Sequence, residues 1–594
     1  MPNYGKVALS MIEEIEKNKT SKYKLSNGVI RGSIIAPSSV FQGNTAPFSI
    51  TDQLGATYIE TVVVAQDATD LSVVFSNIIS GGNGANNISV RAGFRHNNSF
   101  YPWFFNGKRN VNIEPGGHAV SDALSVLVKK GDVIEVHTLV TVDKAGETWP
   151  GSYYTTSHFP GVTDYTLSAP PSLTPIKAFG PTTIIGVTSN PLPNVLLLGG
   201  SSIVGKNDSI GSRGFARMAV EELSGWLKVA EVGGTLSAFV SAGGYSRRSL
   251  LSGYDIAICD HGSNDIATGK TFEEIKTDLQ KLWDMLHLSG VKVFQCTMKT
   301  RTTSTDSWVT VENQTSVANY GPNSIRTRLN DWIRTNPYPL SGHLETADVG
   351  ETARNSGLRK PGTTNDGIHD SPDGVIIAAA EIRRDFNAIL NASPDNPYTP
   401  PSNILTGVEV VDSFNRPDSQ KLGFADSGHL WATLMGTEWG IETGKAYNLS
   451  PSNSSVVVVS TGLSKNITVS AEATPSTTPK KSGIVFLGRD SSNFFFLTSD
   501  TANNGQMLLR KREGGTYTTI QTIPTSLASG VKVNIKVTIV GKVITCYIDD
   551  TVIGTYTLTD SEYATFGVGT LHGLYCHDGS TTLWRWSNFK VTKI

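Results

Sequence analysis

The stretch that most constrains the fold is Asn194-Val-Leu-Leu-Leu-Gly-Gly-Ser-Ser-Ile-Val-Gly205. Four branched apolar residues in a row, Val195 to Leu198, leave no polar face, so they predict a strand buried on both sides, as in a parallel sheet covered by helices. The glycines at 199 and 200 allow a sharp turn at its carboxyl end, where open α/β sheets place their ligands. Ser201 is then expected at the mouth of a crevice with its hydroxyl exposed.

Gly/Ser turns are also ordinary punctuation between strands and helices, so the serine gains meaning only from two distant segments. Gly262-Ser-Asn-Asp265 follows the apolar strand Asp255-Ile-Ala-Ile-Cys259, and Asp366-Gly-Ile-His369 precedes a strong helical pattern. A serine hydroxyl is a poor nucleophile until a base lies within hydrogen-bond reach. His369 is the candidate base, and Asp366, three residues earlier, can accept the other ring N–H and fix the tautomer. Taken singly, a Gly-x-Asn-Asp segment is also plain turn chemistry and Asp-x-x-His also fits a helix cap.

In this order, with Gly243-Gly244 between the first two, the motifs resemble the SGNH (GDSL-type) serine hydrolase family over roughly residues 190 to 392. The resemblance implies Ser201 as nucleophile, Asp366 and His369 as its acid-base pair, and an oxyanion hole from the backbone N–H groups of Ser201 and Gly244 and the side-chain amide of Asn264. It also implies a flavodoxin-like parallel sheet. Gly200 departs from the pattern, standing where the family usually carries the aspartate of Gly-Asp-Ser, so hydrogen bonds that brace the nucleophile loop are expected to be lost and activity narrowed or reduced.

Helical spacing of apolar residues predicts helices over 212–228, 272–288 (with Thr271 and Glu274 as a capping box), 323–335 and 372–391, alternating with strands that include Val291–Cys296. Strands and helices alternating in this way imply a parallel sheet covered on both faces.

A chain of 594 residues is too long for one core. With 58 glycines, 27 prolines and 17% charged residues, it favours short strands and tight turns outside the central α/β region. Strand patterns at 58–65, 70–75, 88–94 and 132–140 predict an antiparallel β-sandwich over 23–168, similar to the β-domains that precede the hydrolase in some bacterial SGNH esterases. Within it, Tyr101-Pro-Trp-Phe-Phe105 reads as core packing ahead of a sugar-stacking platform. The proline-rich stretch 169–193 is expected as a stiff connector to a hydrolase domain at 194–392, and 393–407 as a second linker. From 408 to 594 strand patterns return. Asp412-Ser-Phe-Asn-Arg-Pro-Asp-Ser419, Trp431, Trp439 and Trp586 resemble a concanavalin/laminin-G-type sandwich, a class that commonly binds glycans or mediates assembly. Residues 1–22 predict a short helical attachment segment carrying Val7, Met11 and Ile15, too short to stand alone.

The net charge of −2 and pI near 6.6 give no electrostatic case for nucleic acid or anionic membrane. No apolar run is long enough to span a bilayer, and Met1-Pro-Asn-Tyr lacks a secretory pattern, so synthesis in the cytoplasm is expected. Cys259, Cys296, Cys546 and Cys576 are far apart and read as buried thiols, with no cofactor or metal expected. His572, Cys576 and His577 lack a fourth ligand for zinc, and His261 reads as a cleft wall.

These features together favour a serine esterase removing O-acetyl groups from a polysaccharide held at several points. A phage tail or receptor-binding protein, virion-associated, with tail-protein partners and a trimeric assembly, is the expected setting, against a leaderless cytoplasmic bacterial enzyme. The competing functions are a non-catalytic glycan-binding adhesin on a degenerate hydrolase fold and a lipid-ester hydrolase.

Overall fold

A computed structural model describes residues 30, 32–37, 45–80, 82–152, 155–177, 179–208, 213–241, 245–392, 398, 405, 407–450, 454–475, 481–500, 506–525, 527–577 and 584–594. The expected segment 1–22 and most of the linker 393–407 lie outside them.

The centre is a five-stranded, wholly parallel sheet. Its strands lie side by side as Gly225–Ala230, Asn194–Gly199, Ile256–Asp260, Lys292–Cys296 and Gly342–Leu344, which is order 2-1-3-4-5 in sequence terms. Because side chains alternate along a strand, Val195 and Leu197 point to one face and Leu196 and Leu198 to the other. The first face is covered by the helices Phe215–Val220 and Pro372–Leu390, the second by Phe272–Leu288 and Ile325–Arg334. All four central apolar residues are fully buried, which is why the run carries no polar side chain.

The helix Phe272–Leu288 starts at Thr271 with the expected capping box to Glu274. The helix expected over 212–228 is corrected: it ends at Val220, and the chain then enters the strand Gly225–Ala230. Glu221 is extended and Glu222 has φ +75°, so the spacing of Leu223 and Trp226 continues a helical rhythm across a break in the backbone. Pairing of Asn194–Gly199 with Gly225–Ala230 decides the matter, and that partner is invisible in a local pattern.

The amino-terminal region is built of a four-stranded and a seven-stranded antiparallel sheet, with two two-stranded ones, around one core that includes Tyr58, Phe75, Phe94, Trp103 and Trp149. Of the aromatic run, Trp103 and Phe105 lie in that core and Tyr101 packs against it, while Phe104 is exposed. The stretch 169–193 is a second correction. It is more than the stiff connector expected, because it supplies two strands: Thr174–Lys177 is an edge strand on Thr155–Pro160, and Thr183–Val187 sits between Ser33–Pro37 and Thr69–Ser76. Pro175 is tolerated because an edge strand needs only half of its backbone donors. Asn194 then ties this region to the parallel sheet, accepting from Ile34 N at 2.9 Å and donating to Gly32 O at 2.9 Å.

The carboxy-terminal region packs two antiparallel sheets, one of eight strands and one of seven, over a core holding Phe414, Trp439 and Trp586. Asp412 is fully buried, accepting from Trp431 Nε1 at 2.7 Å and pairing with Arg416, which accounts for the acidic start and the arginine of that motif. In the strand Ser455–Ser460, Val457 and Val459 face this core while Val456 and Val458 face outward onto the helix Pro372–Leu390. That helix is therefore covered by the parallel sheet on one side and by the carboxy-terminal sheet on the other, and 15 of its 19 residues are buried. Asp373 in its first turn accepts hydrogen bonds from Ser460 and Thr570 across the junction. All four cysteines are buried.

Candidate active site

Ser201 opens a four-residue helix immediately after the strand Asn194–Gly199. A side chain at Gly199 would collide with Ile203 at 2.6 Å, so the strand must end on glycine for the chain to fold back over itself. The position lies at the carboxyl end of the first strand, where the strand order reverses between it and the third, the crevice that open α/β sheets use for ligands.

His369 reaches this point from a loop braced at several atoms. Thr364 Oγ1 donates to His369 O at 2.7 Å and accepts from Gly367 N at 2.9 Å. Gly367 has φ +75°, and a Cβ there would lie 1.9 Å from Thr302 O, so no other residue fits. Arg359, fully buried, donates to Ile368 O at 2.7 Å and to Asp370 Oδ1 at 2.9 Å, and Lys299 pairs with the other oxygen of Asp370. Burial pushes the Asp370 pKa up, but the charges of Lys299 and Arg359 outweigh it and hold the carboxylate ionised.

The three residues named from the sequence form one contact chain. His369 Nε2 is 2.8 Å from Ser201 Oγ, and His369 Nδ1 is 2.7 Å from Asp366 Oδ2. Asp366 also accepts from the backbone N–H groups of Ile368 at 2.8 Å and His369 at 2.7 Å, and from Asn207 Nδ2 at 2.9 Å. Partial burial raises the Asp366 pKa, yet the hydrogen bonds from the His369 ring and from these backbone groups prevail and keep it well below the usual carboxylate range. An ionised carboxylate only accepts, so Nδ1 carries the hydrogen and Nε2 presents its lone pair to the Ser201 hydroxyl.

Asn264 lines the same cleft as Ser201, His261, Asp260 and Arg301. Its Nδ2 donates to Gly234 O at 2.8 Å, and a Cβ on Gly200 would stand 3.1 Å from that nitrogen. The amide thus occupies the space into which a longer side chain at position 200 would project. Gly200 has φ −96°, outside the left-handed region that favours glycine. Gly244, the third expected donor, lies outside the described residues.

His261 is buried, packs on Phe239, and is driven by burial to a pKa of about 3, so it stays neutral and forms cleft wall. His572 is equally buried and bonds Leu463 O at 2.7 Å, while His577 bonds Ser454 at 2.8 Å. Among the described residues no group of His, Cys, Asp and Glu is arranged to hold a metal ion.

Sequence reasoning missed Lys299, Arg301 and Arg359. The first two had a signal: they follow directly on the strand Lys292–Cys296, at the same sheet edge as Ser201 and Asn264. Arg359 lies in an irregular loop and had none.

No protein-family model and no curated protein matches the chain. Among solved structures, the carbohydrate binding module CBM66 from Bacillus subtilis is similar at 19% identity over 27% of this chain and 95% of its own, with a TM-score of 0.23. Protein YXIM of Bacillus subtilis is similar at 16% identity over 56% of this chain and 80% of its own, with a TM-score of 0.27. A Bacteroides fragilis protein assigned as an acylhydrolase is similar at 16% identity over 34% of this chain and 92% of its own, with a TM-score of 0.24.

Proposed function

We propose that the chain is a serine carboxylic-ester hydrolase of the SGNH type on a flavodoxin-like sheet, acting on O-acetyl groups of a polysaccharide. The observation that carries this is the contact chain Asp366–His369–Ser201, at the strand ends where Asn264 also stands.

In this proposal His369 Nε2 takes the Ser201 proton as Oγ attacks the ester carbonyl carbon. Negative charge develops on the carbonyl oxygen, facing the backbone N–H of Ser201, the second N–H of Asn264 and the backbone N–H of Gly244. A donor aimed at that oxygen is worth about 10²–10³ in kcat. The imidazolium, stabilised by ionised Asp366, passes its proton to the departing sugar oxygen and leaves Ser201 acylated. Water then attacks the acyl carbon as His369 takes its proton; the Oγ–acyl bond breaks, His369 returns the proton to Oγ, and acetate leaves with the hydroxyl of Ser201 restored. No cofactor takes part.

The flanking β-regions, the outer one read as a concanavalin/laminin-G-like sandwich, are proposed to hold the polysaccharide at further points. A phage tail setting with tail-protein partners and a trimeric assembly belongs to the same proposal, and mass spectrometry of purified virions together with the mass of the protein in solution tests it. The enzymatic part is tested by hydrolysis of p-nitrophenyl acetate and by acetate release from a panel of acetylated polysaccharides, comparing wild type with Ser201→Ala. Turnover lost in the variant supports the esterase. Equal turnover refutes it, and glycan binding without turnover leaves the adhesin that the missing aspartate at Gly200 would favour.

A further inference from the structure

Arg301 is a cation with an unusual set of neighbours. It follows the strand Lys292–Cys296 and reaches into the cleft, where Nη2 donates to Asn264 Oδ1 at 2.7 Å and to Ser263 Oγ at 3.1 Å. Its guanidinium lies over the ring of Tyr320, 5.0 Å from the centroid. The hydroxyl of Tyr320 in turn bonds Ser263 O, so the arginine, the tyrosine and the 263–264 turn form one small assembly. Lys299, Arg326, Arg334 and Arg359 in the same region each face a carboxylate, whereas among the described residues Arg301 is in no ion pair. Its Nε is buried without an acceptor among the described residues.

A primary amide has two ends that look alike in shape and differ in chemistry, and which end faces the cleft decides whether Asn264 can serve an oxyanion. A guanidinium has donors only. With Arg301 on one side and the carbonyl oxygen of Gly234 on the other, only one orientation satisfies both neighbours: Oδ1 toward Arg301 and Nδ2 toward Gly234. The flipped amide would set N–H against N–H and oxygen against oxygen. In the satisfied orientation one Nδ2 hydrogen is spent on Gly234, and Nδ2 itself abuts Gly200, next to Ser201. The second hydrogen has no acceptor among the described residues.

We propose that Arg301 is a positioning residue for the oxyanion: through Oδ1 it locks the amide of Asn264 with a free N–H turned to the reacting carbonyl, and its charge strengthens that N–H as a donor by drawing electron density toward Oδ1. Arg301 acts through Asn264 and does not itself touch the ester. This rests on the esterase proposal for the same site.

The experiment is a double-mutant cycle in the full chain, reading kcat and KM for p-nitrophenyl acetate and Tm for Arg301→Met, Arg301→Lys, Arg301→Glu, Asn264→Ala and the Arg301→Met/Asn264→Ala pair. Arg301→Met is expected to lower kcat by about 10- to 100-fold at nearly constant KM, the range typical of residues that orient a reacting group from behind. In the Asn264→Ala background the same change is expected to cost about twofold or less, because residues acting as a unit are non-additive. Arg301→Lys, still a donor toward Oδ1, recovers part of the loss. Arg301→Glu invites the amide to flip and matches Asn264→Ala. If Arg301→Met lowers Tm markedly, the lysine and glutamate variants carry the comparison. Equal losses in the two backgrounds, or no loss in kcat, overturn the inference while Ser201-dependent turnover by the wild type persists. Absence of that turnover overturns the esterase proposal and this inference together.

Discussion

Ser201 Oγ and His369 Nε2 lie 2.8 Å apart although 168 residues separate them in the chain. The proximity is made by the parallel sheet, which sets Ser201 at the end of its first strand, and by a loop whose last residues run directly into the helix Pro372–Leu390. Asp366→Asn keeps an oxygen for the N–H groups of Ile368 and His369 but turns the ring's Nδ1 partner into a neutral group and permits the wrong tautomer. A loss in kcat of about 10⁴-fold is expected, with Tm nearly unchanged. Steady-state kinetics beside a thermal melt checks it. A variant within tenfold of wild type would show that the Asp366 carboxylate does not set the ring's tautomer or steady its charge.

Arg359 and Asp370 form the buried anchor of the same loop, with side chains 0% and 5% exposed. Breaking such a pair by removing one partner costs about 3–5 kcal/mol, because a buried charge loses its compensation. Arg359→Met is therefore expected to lower stability by that order in chemical denaturation, partly relieved by Lys299 on the other oxygen of Asp370. Ile368 O loses its donor as well, so kcat should fall with stability.

Asp373 gives the junction between the helix Pro372–Leu390 and the carboxy-terminal region a pH dependence. Burial raises its carboxyl to about 6, against opposing hydrogen bonds from Ser460 and Thr570. An acid whose folded pKa lies above its unfolded value disfavours folding once ionised: the penalty is absent at low pH, grows as pH climbs from the unfolded value of 3.8 through about 6, and is constant above. Asp373→Asn removes this slope. Its Tm relative to wild type should be higher at pH 7.5 than at pH 4, and a difference independent of pH would show that the carboxyl is not strained in the folded protein.

Shortening the chain should be more damaging than a linker would imply. A protein ending at residue 392 uncovers the side of the 372–390 helix that meets Val456, Val458, Val485 and Phe496, a continuous apolar surface. It is expected to aggregate or to bind 8-anilinonaphthalene sulfonate strongly. A soluble, cooperatively melting fragment with full esterase activity would contradict the packing seen here.

Much of this was legible wherever one short segment carried its own instruction. Val195–Leu198 and Val456–Val459 have no polar residue, and each proves to be buried on both faces, one between helices and one between a core and a helix. Thr271 and Glu274 announced their helix. Ser201, Asp366 and His369 were readable because each belongs to a short local motif, even though their meeting is long-range. What escaped depends on partners. Trp226 kept helical spacing with Leu223 and is in a strand only because Asn194–Gly199 runs beside it. The prolines of 169–193 hid two strands, since Pro175 is permitted at a sheet edge that sequence does not reveal. Arg301 is one basic residue in a loop, and its significance appears only once Asn264 and Gly234 are seen on either side of the same amide.

The helix Pro372–Leu390 begins three residues after His369 and packs along one side against the carboxy-terminal region. Grafting a foreign outer lobe onto this chain would accordingly require residues 372–390 and 455–460 to come from a single parent.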